Sequence, residues 1–148
     1  MANEITGLDE VIEKMRLLGK PKKVKNAATR SARKAMNIVN KAAKANAKAF
    51  DDKSSGNKIW KNIVTRPGKT KGVDSVMMKV GIKGGAKNTA GTGNSGGDTW
   101  YWRFKEFGTS NHAASPFMRP AFSNNKDAVE AEFKRSFSEE LDKEIAKL

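Results

Sequence analysis

A stretch without any acidic residue, from Lys20 to Phe50, most constrains how this chain can fold. The stretch is rich in alanine and lysine, which both favour helices, and it predicts one long helix over residues 22–50. Small apolar residues recur at helical spacing and would form a narrow stripe that another element can approach closely. The stripe consists of Ala28, Ala32, Ala35, Met36, Val39, Ala43 and Ala47.

The remaining surface of this helix is strongly basic. Its cations are Lys22, Lys23, Lys25, Arg30, Arg33, Lys34, Lys41, Lys44 and Lys48. The whole chain has 29 Lys and Arg against 16 Asp and Glu, a net charge of +13, so it will be attracted to polyanions. We interpret these cations either as an ordinary solvated surface or as a surface that faces DNA or an acidic neighbouring subunit.

Two amphipathic helices are predicted on either side of the long one. Residues 7–18 form a short helix with Thr6 as its N-cap and with Gly19 and Pro21 as its stop signal. Its apolar face comprises Leu8, Val11, Ile12, Met15 and Leu18. Residues 123–147 form a C-terminal helix whose apolar side comprises Val129, Phe133, Phe137, Leu141 and Ile145. This helix also holds many glutamates, so a homo-oligomer could pair basic and acidic parts of neighbouring copies head to tail.

The middle of the chain predicts strands. Residues 59–65 and 75–83 suit a hairpin with a long basic loop, and the aromatic residues 99–107 suit a third strand. Residues 51–58 are a polar turn, and the glycine-rich segment 84–98 is interpreted as a flexible insert that can order when a neighbouring subunit covers it. The predicted fold class is α+β, a single domain over residues 1–148. Its small antiparallel sheet of three to four strands packs against the long N-terminal helix and the C-terminal helix.

No constellation of catalytic residues is evident. The chain has one histidine, His112, in a polar turn, and no cysteine. No spacing suits a metal site, and the glycine-rich segment lacks the Gly-Lys-Ser/Thr ending of a phosphate-binding loop. We therefore expect no enzymatic activity, no cofactor and no metal ion. We also expect no signal peptide and no membrane-spanning segment.

The most specific sequence signal is a motif in two parts. Residues 101–110 read Tyr-Trp-Arg-Phe-Lys-Glu-Phe-Gly-Thr-Ser, and residues 114–122 read Ala-Ser-Pro-Phe-Met-Arg-Pro-Ala-Phe. The motif resembles one in a family of tailed-bacteriophage proteins that join the head to the tail or complete the tail, related to the minor tail protein Z group of lambda-like phages. In that family an aromatic strand ends in Glu-Phe-Gly-Thr, and Pro-Phe-Leu/Met-Arg-Pro-Ala follows a short turn.

The motif also has a physical interpretation, a structural corner that could in addition dock the next subunit. Gly108 can take a positive φ, and Glu106 can pair with Arg119 or accept backbone amides. Phe104, Phe107, Phe117 and Phe122 are expected to hold the connector against the sheet. The candidate interface residues are Phe104, Glu106, Phe107, Gly108, Thr109, Pro116, Phe117, Arg119 and Pro120.

The resemblance implies a structural virion protein that assembles in the host cytoplasm. It would form a homo-oligomeric ring, a hexamer, at the neck or upper tail, with other neck and tail proteins as partners and no membrane. Genomic DNA would pass through or near the ring during ejection. Two alternatives remain open: a sequence-nonspecific DNA-binding protein, and a tail-terminator or tail-tube subunit.

Overall fold

The computed structural model describes residues 8–50, 58–72, 75–83 and 99–148. The predicted N-cap at Thr6, almost all of the polar turn at 51–58 and the glycine-rich insert at 84–98 lie outside these residues. The described elements are helices α1 (Leu8–Leu18) and α2 (Pro21–Lys48), strands β1 (Ile63–Pro67) and β2 (Met78–Ile82), and helices α3 (Trp102–Phe107), α4 (Met118–Ser123) and α5 (Lys126–Ile145).

The fold class is α+β, but the sheet is smaller than predicted. Within the described residues β1 and β2 pair as a two-stranded antiparallel sheet. The predicted strand at 59–65 begins as a short 3₁₀ turn, Ile59–Asn62, and becomes extended only from Ile63. The backbone N–H of Gly68 donates to Met77 O at 2.9 Å, which holds the two ends of the long basic loop together.

The third predicted strand, residues 99–107, is wrong because most of this segment is the helix α3. Aromatic residues are typical of strands, which favoured that interpretation. Helical spacing instead places Trp102 and Glu106 on one side, and Glu106 is almost completely buried. The contacts of this one carboxylate outweigh the weak strand preference of its aromatic neighbours.

The predicted helices α1 and α2 are confirmed, with small shifts in their ends. Gly19 has a positive φ of 61° and its N–H donates to Met15 O, which ends α1, and Pro21 is the first residue of α2. One assignment in α1 was wrong: Ile12 is 39% exposed and does not belong to the buried face. The small-residue stripe of α2 is buried at Ala28, Ala35, Val39, Ala43 and Ala47.

The predicted C-terminal helix is divided in two. A short helix, α4, ends at Ser123 and α5 begins at Lys126, with Asn125 Nδ2 donating to Ala121 O between them. The apolar side of α5 is as predicted, because Phe137 and Leu141 are buried while the other members of the row are partly covered.

The chain forms two compact units. The first takes its described residues from 1–36, 66–79 and 127–148, and its core comprises Leu18, Ala27, Ala28, Phe137 and Leu141. The second takes its described residues from 37–65 and 80–126, and its buried apolar side chains are Val39, Ala43, Ala47, Ile59, Ile63, Val80, Phe117 and Ala121.

Candidate functional site

A buried carboxylate, Glu106, forms the centre of the second unit's most distinctive structure. Its side chain is only 2% exposed, although glutamate is rarely buried unless it is paired. Its two oxygens accept hydrogen bonds from the backbone N–H groups of Phe117, Met118 and Arg119 at 2.7 to 2.9 Å. The carboxylate therefore satisfies amides at the beginning of α4 that have no partner within the helix.

Arg119 completes this arrangement. Its Nε donates to Glu106 Oε1 at 3.1 Å, and its Nη2 donates to the backbone oxygen of the same residue. Burial by itself raises the pKa of Glu106, but the three backbone donors and Arg119 outweigh it and hold the pKa below its ordinary value. The sequence left open whether Glu106 pairs with Arg119 or accepts backbone amides, and the structure shows both contacts.

The turn between α3 and α4 is equally restricted. Gly108 has a φ of 77°, and a Cβ on it would lie 2.8 Å from Ala114 N. Thr109 N donates to His112 O, while the Thr109 hydroxyl accepts from His112 N. Ser115 N donates to Lys105 O at 2.7 Å. We call this closed segment, residues 106–119, the Glu106 corner.

The aromatic residues of the motif do not all play the expected role. Phe117 is fully buried, contacts Phe50 edge to face at 5.6 Å between ring centroids, and its carbonyl accepts from Asn46 Nδ2. Phe104, Phe107 and Phe122 are 52%, 63% and 41% exposed, so the prediction that they hold the connector against the sheet is wrong. The corner is closed by polar contacts and by the buried Phe117, whereas Phe104, Phe107 and Phe122 are left at the surface.

The two prolines of the motif lie at the beginning of α4. Pro116 is exposed in the extended connector just before the helix. Pro120 occupies the first turn of α4, where the N–H that proline lacks would have no helical partner. Both prolines therefore lie where α4 begins.

The basic residues of α2 fall into different environments. In the first unit Arg30 Nε donates to Glu140 at 2.8 Å, Lys34 Nζ donates to the same carboxylate at 3.0 Å, and Glu144 pairs with Arg30 and Lys23. These three paired cations could not be recognised from the sequence, since their acidic partners are more than 100 positions away.

Other cations of α2 have different contacts or none. Lys25 Nζ donates to Gly72 O in the first unit, and in the second unit Lys48 Nζ lies 4.2 Å from the ring centroid of Trp60. Lys22, Arg33 and Lys41 are exposed and have no ion-pair partner among the described residues. Lys44 is partly buried.

Among the residues that the structure describes, we find no catalytic or metal-binding site. There, no three His, Cys, Asp or Glu side chains gather as metal ligands would. Among the helices formed by these residues, none combines the length and the apolar character that crossing a bilayer requires. The polar contacts of the Glu106 corner join α3 to the beginning of α4, and no nucleophile is paired with a base there.

These features define a small α+β protein whose distinctive site is structural. A family model described as "Bacteriophage HK97-gp10, putative tail-component" matches residues 9–108, more than half of the chain. The chain belongs to this HK97 gp10-like family. The matched range ends at Gly108, so it includes residues 101–108 of the first part of the motif and none of the second part. Neither a curated protein nor a solved structure matches the chain significantly.

Membership of this family gives the general function. The protein is a structural component of a bacteriophage tail, it is a part of the virion, and other tail proteins are its partners.

Proposed function

We propose that the protein acts at the neck or upper end of the tail, where it completes the tail and joins it to the head as a homo-oligomeric ring around the DNA path. The observation that carries this proposal is the Glu106 corner. Hydrogen bonds of Glu106 join the first part of the two-part motif to the second part, and aromatic side chains are left exposed beside this contact. A hexamer is the copy number that the resemblance implies.

The test is the morphology of phage particles made without this protein. We expect DNA-filled heads and separate tails of normal length in electron micrographs, and joined virions when the wild-type chain is supplied in trans. Overlong tails would instead indicate a terminator that stops tail growth. Joined, infectious particles in the absence of the protein would contradict the proposal.

A second candidate function, sequence-nonspecific DNA binding, is favoured by one observation. The exposed cations Lys22 and Arg33 have no carboxylate partner among the described residues, so they are free to contact phosphates. Tight and salt-sensitive binding of duplex DNA by a monomer that never forms a ring would support this function over the structural one.

A further inference from the structure

Exposed aromatic rings gather on one side of α3. Trp100, just before the helix, and Phe104 and Phe107 within it are 58%, 52% and 63% exposed. The rings of Trp100 and Phe104 contact each other at 5.9 Å between centroids, and Phe107 follows three residues later on the same side of the helix. We call these three residues the aromatic patch. A contiguous group of large exposed apolar side chains marks an interaction site.

Basic side chains flank the aromatic patch. Arg103 and Lys105 leave α3 on either side of Phe104, because successive residues of a helix are about 100° apart. Both are exposed, and neither has an ion-pair partner among the described residues. The Arg119 guanidinium lies 5.0 Å from the ring centroid of Phe107, and the Arg119 side chain is 57% exposed. Aromatic rings and cations are therefore interleaved on this surface.

Residues 99–125 offer no exposed carboxylate to offset these cations. The one acidic residue in this range is Glu106, whose side chain is 2% exposed and is already paired with Arg119. The partner that complements this charge is therefore an anion. Protein–protein interfaces are depleted in lysine and carry few charges at their centre, so a surface with cations between its rings is unlike them.

We propose that the aromatic patch binds single-stranded nucleic acid. Such a strand carries unpaired bases, which stack on aromatic rings and on arginine, and phosphates, which attract lysine and arginine. The rings of Trp100 and Phe104 are 89° apart, so they do not stack on each other and can stack on bases. The bases of a duplex are already paired and stacked, so the rings favour the single strand. This inference goes beyond the proposed function and does not depend on a ring.

The first measurement separates the contribution of the bases from that of the phosphates. Fluorescence anisotropy compares the binding of a labelled oligothymidylate of about 12 nucleotides with that of an equally long strand of abasic sites, which keeps every phosphate. We expect the oligothymidylate to bind about tenfold more tightly, because the abasic strand cannot stack. An oligouridylate of the same length distinguishes RNA from DNA as the source of the strand. Equal affinity for the strands with and without bases would overturn the proposal.

Substitutions of Phe104 then locate the bases on the aromatic patch. Phe104→Ala should weaken the binding of oligothymidylate about tenfold and leave that of the abasic strand unchanged, whereas Phe104→Tyr keeps a ring and should bind as the wild type does. Leu17→Ala is the control, because Leu17 is an exposed apolar residue of the first unit, at 63%. If Phe104→Ala binds the oligothymidylate as tightly as the wild type, the proposal is overturned and a protein surface is the better occupant.

The salt dependence of binding tests the cations beside the rings. Arg103→Gln combined with Lys105→Gln should make the slope of log K against log salt shallower by about 1.4, since each phosphate contact of a single strand contributes about 0.7. Lys22→Gln combined with Arg33→Gln, in the first unit, should leave the preference for the strand with bases unchanged. An unchanged slope in the first variant, or a lost preference in the second, would overturn the assignment of the strand to the aromatic patch.

Discussion

At the residue scale, the Glu106 side chain accepts more hydrogen bonds than any other side chain of the motif among the described residues. We predict that Glu106→Gln lowers the free energy of unfolding by about 1–3 kcal/mol, because the amide removes the charge and leaves a buried donor facing the N–H groups of α4. Urea denaturation measures the change. Glu139→Gln is the control, since Glu139 is half exposed in a surface pair with Arg135 and should cost less than about 0.5 kcal/mol. Equal costs for the two variants would contradict the prediction.

A second residue-scale prediction concerns Gly108. Its φ of 77° with a ψ of 176° is a region that residues with a Cβ avoid, and the added atom would lie 2.8 Å from Ala114 N. We expect Gly108→Ala to destabilise the protein by more than about 1 kcal/mol in the same denaturation experiment. Gly81→Ala is the matched control, because nothing lies within 4 Å of a Cβ at that position. An unchanged midpoint for Gly108→Ala would show that the turn can relax.

At the scale of elements, α2 and α5 are joined in the first unit by an ion network that should respond to acid. Hydrogen bonds from Arg30 and then Lys34 lower the pKa of Glu140 from 4.5 to about 2. A carboxyl whose pKa is lower in the folded state stabilises the protein above its unfolded pKa. That stability is lost as the pH falls from about 4.5 towards 2.

We therefore expect the wild type to lose about 1 kcal/mol more stability than Glu140→Gln between pH 6 and pH 3. The figure is well below what the pKa change alone implies, because both cations are nearly half exposed and are screened by solvent. Chemical denaturation at the two pH values, in low salt, measures it. Glu130→Gln, at an exposed position of α5, should lose as much stability as the wild type. A Glu140→Gln variant that is as acid-sensitive as the wild type would refute the role of this network.

How far the sequence predicts an element depends on whether local or distant contacts decide it. The stripe of α2 and the apolar side of α5 follow from periodicity, and the hairpin follows from alternation, so these were found. Helix α3 was missed because its aromatic composition favours a strand, whereas its conformation depends on Glu106 reaching amides eleven to thirteen positions away. The partners of Arg30 and Lys34 are more than 100 positions away and leave no local signal.

The Glu106 corner was easier to predict than the ion network because its groups lie close together in the sequence. A carboxylate, a glycine and an arginine within fourteen positions suggest a turn with few possible pairings. The exposure of Phe104 and Phe107 could not be predicted from the sequence, because an aromatic residue is buried more often than exposed. Only the surrounding structure shows that these two side chains lie at the surface.

At the scale of the whole molecule, the net charge of +13 predicts attraction to polyanions, and the structure indicates which cations are free to contribute. Lys22 and Arg33 are exposed on α2 without ion-pair partners among the described residues. Arg135 and Lys147 are paired with glutamates of α5. The unpaired cations should release counterions when they contact phosphate, whereas the paired ones are already neutralised.

We predict that Lys22→Gln combined with Arg33→Gln weakens the binding of duplex DNA equally for all sequences. The slope of log K against log salt should become shallower by about 2, since each lost phosphate contact contributes about 0.9. Fluorescence anisotropy of a labelled duplex at several salt concentrations measures both quantities. Arg135→Gln combined with Lys147→Gln removes the same formal charge and serves as the control. If the control reduces the slope equally, net charge alone governs the attraction, and the exposed cations of α2 have no particular role in it.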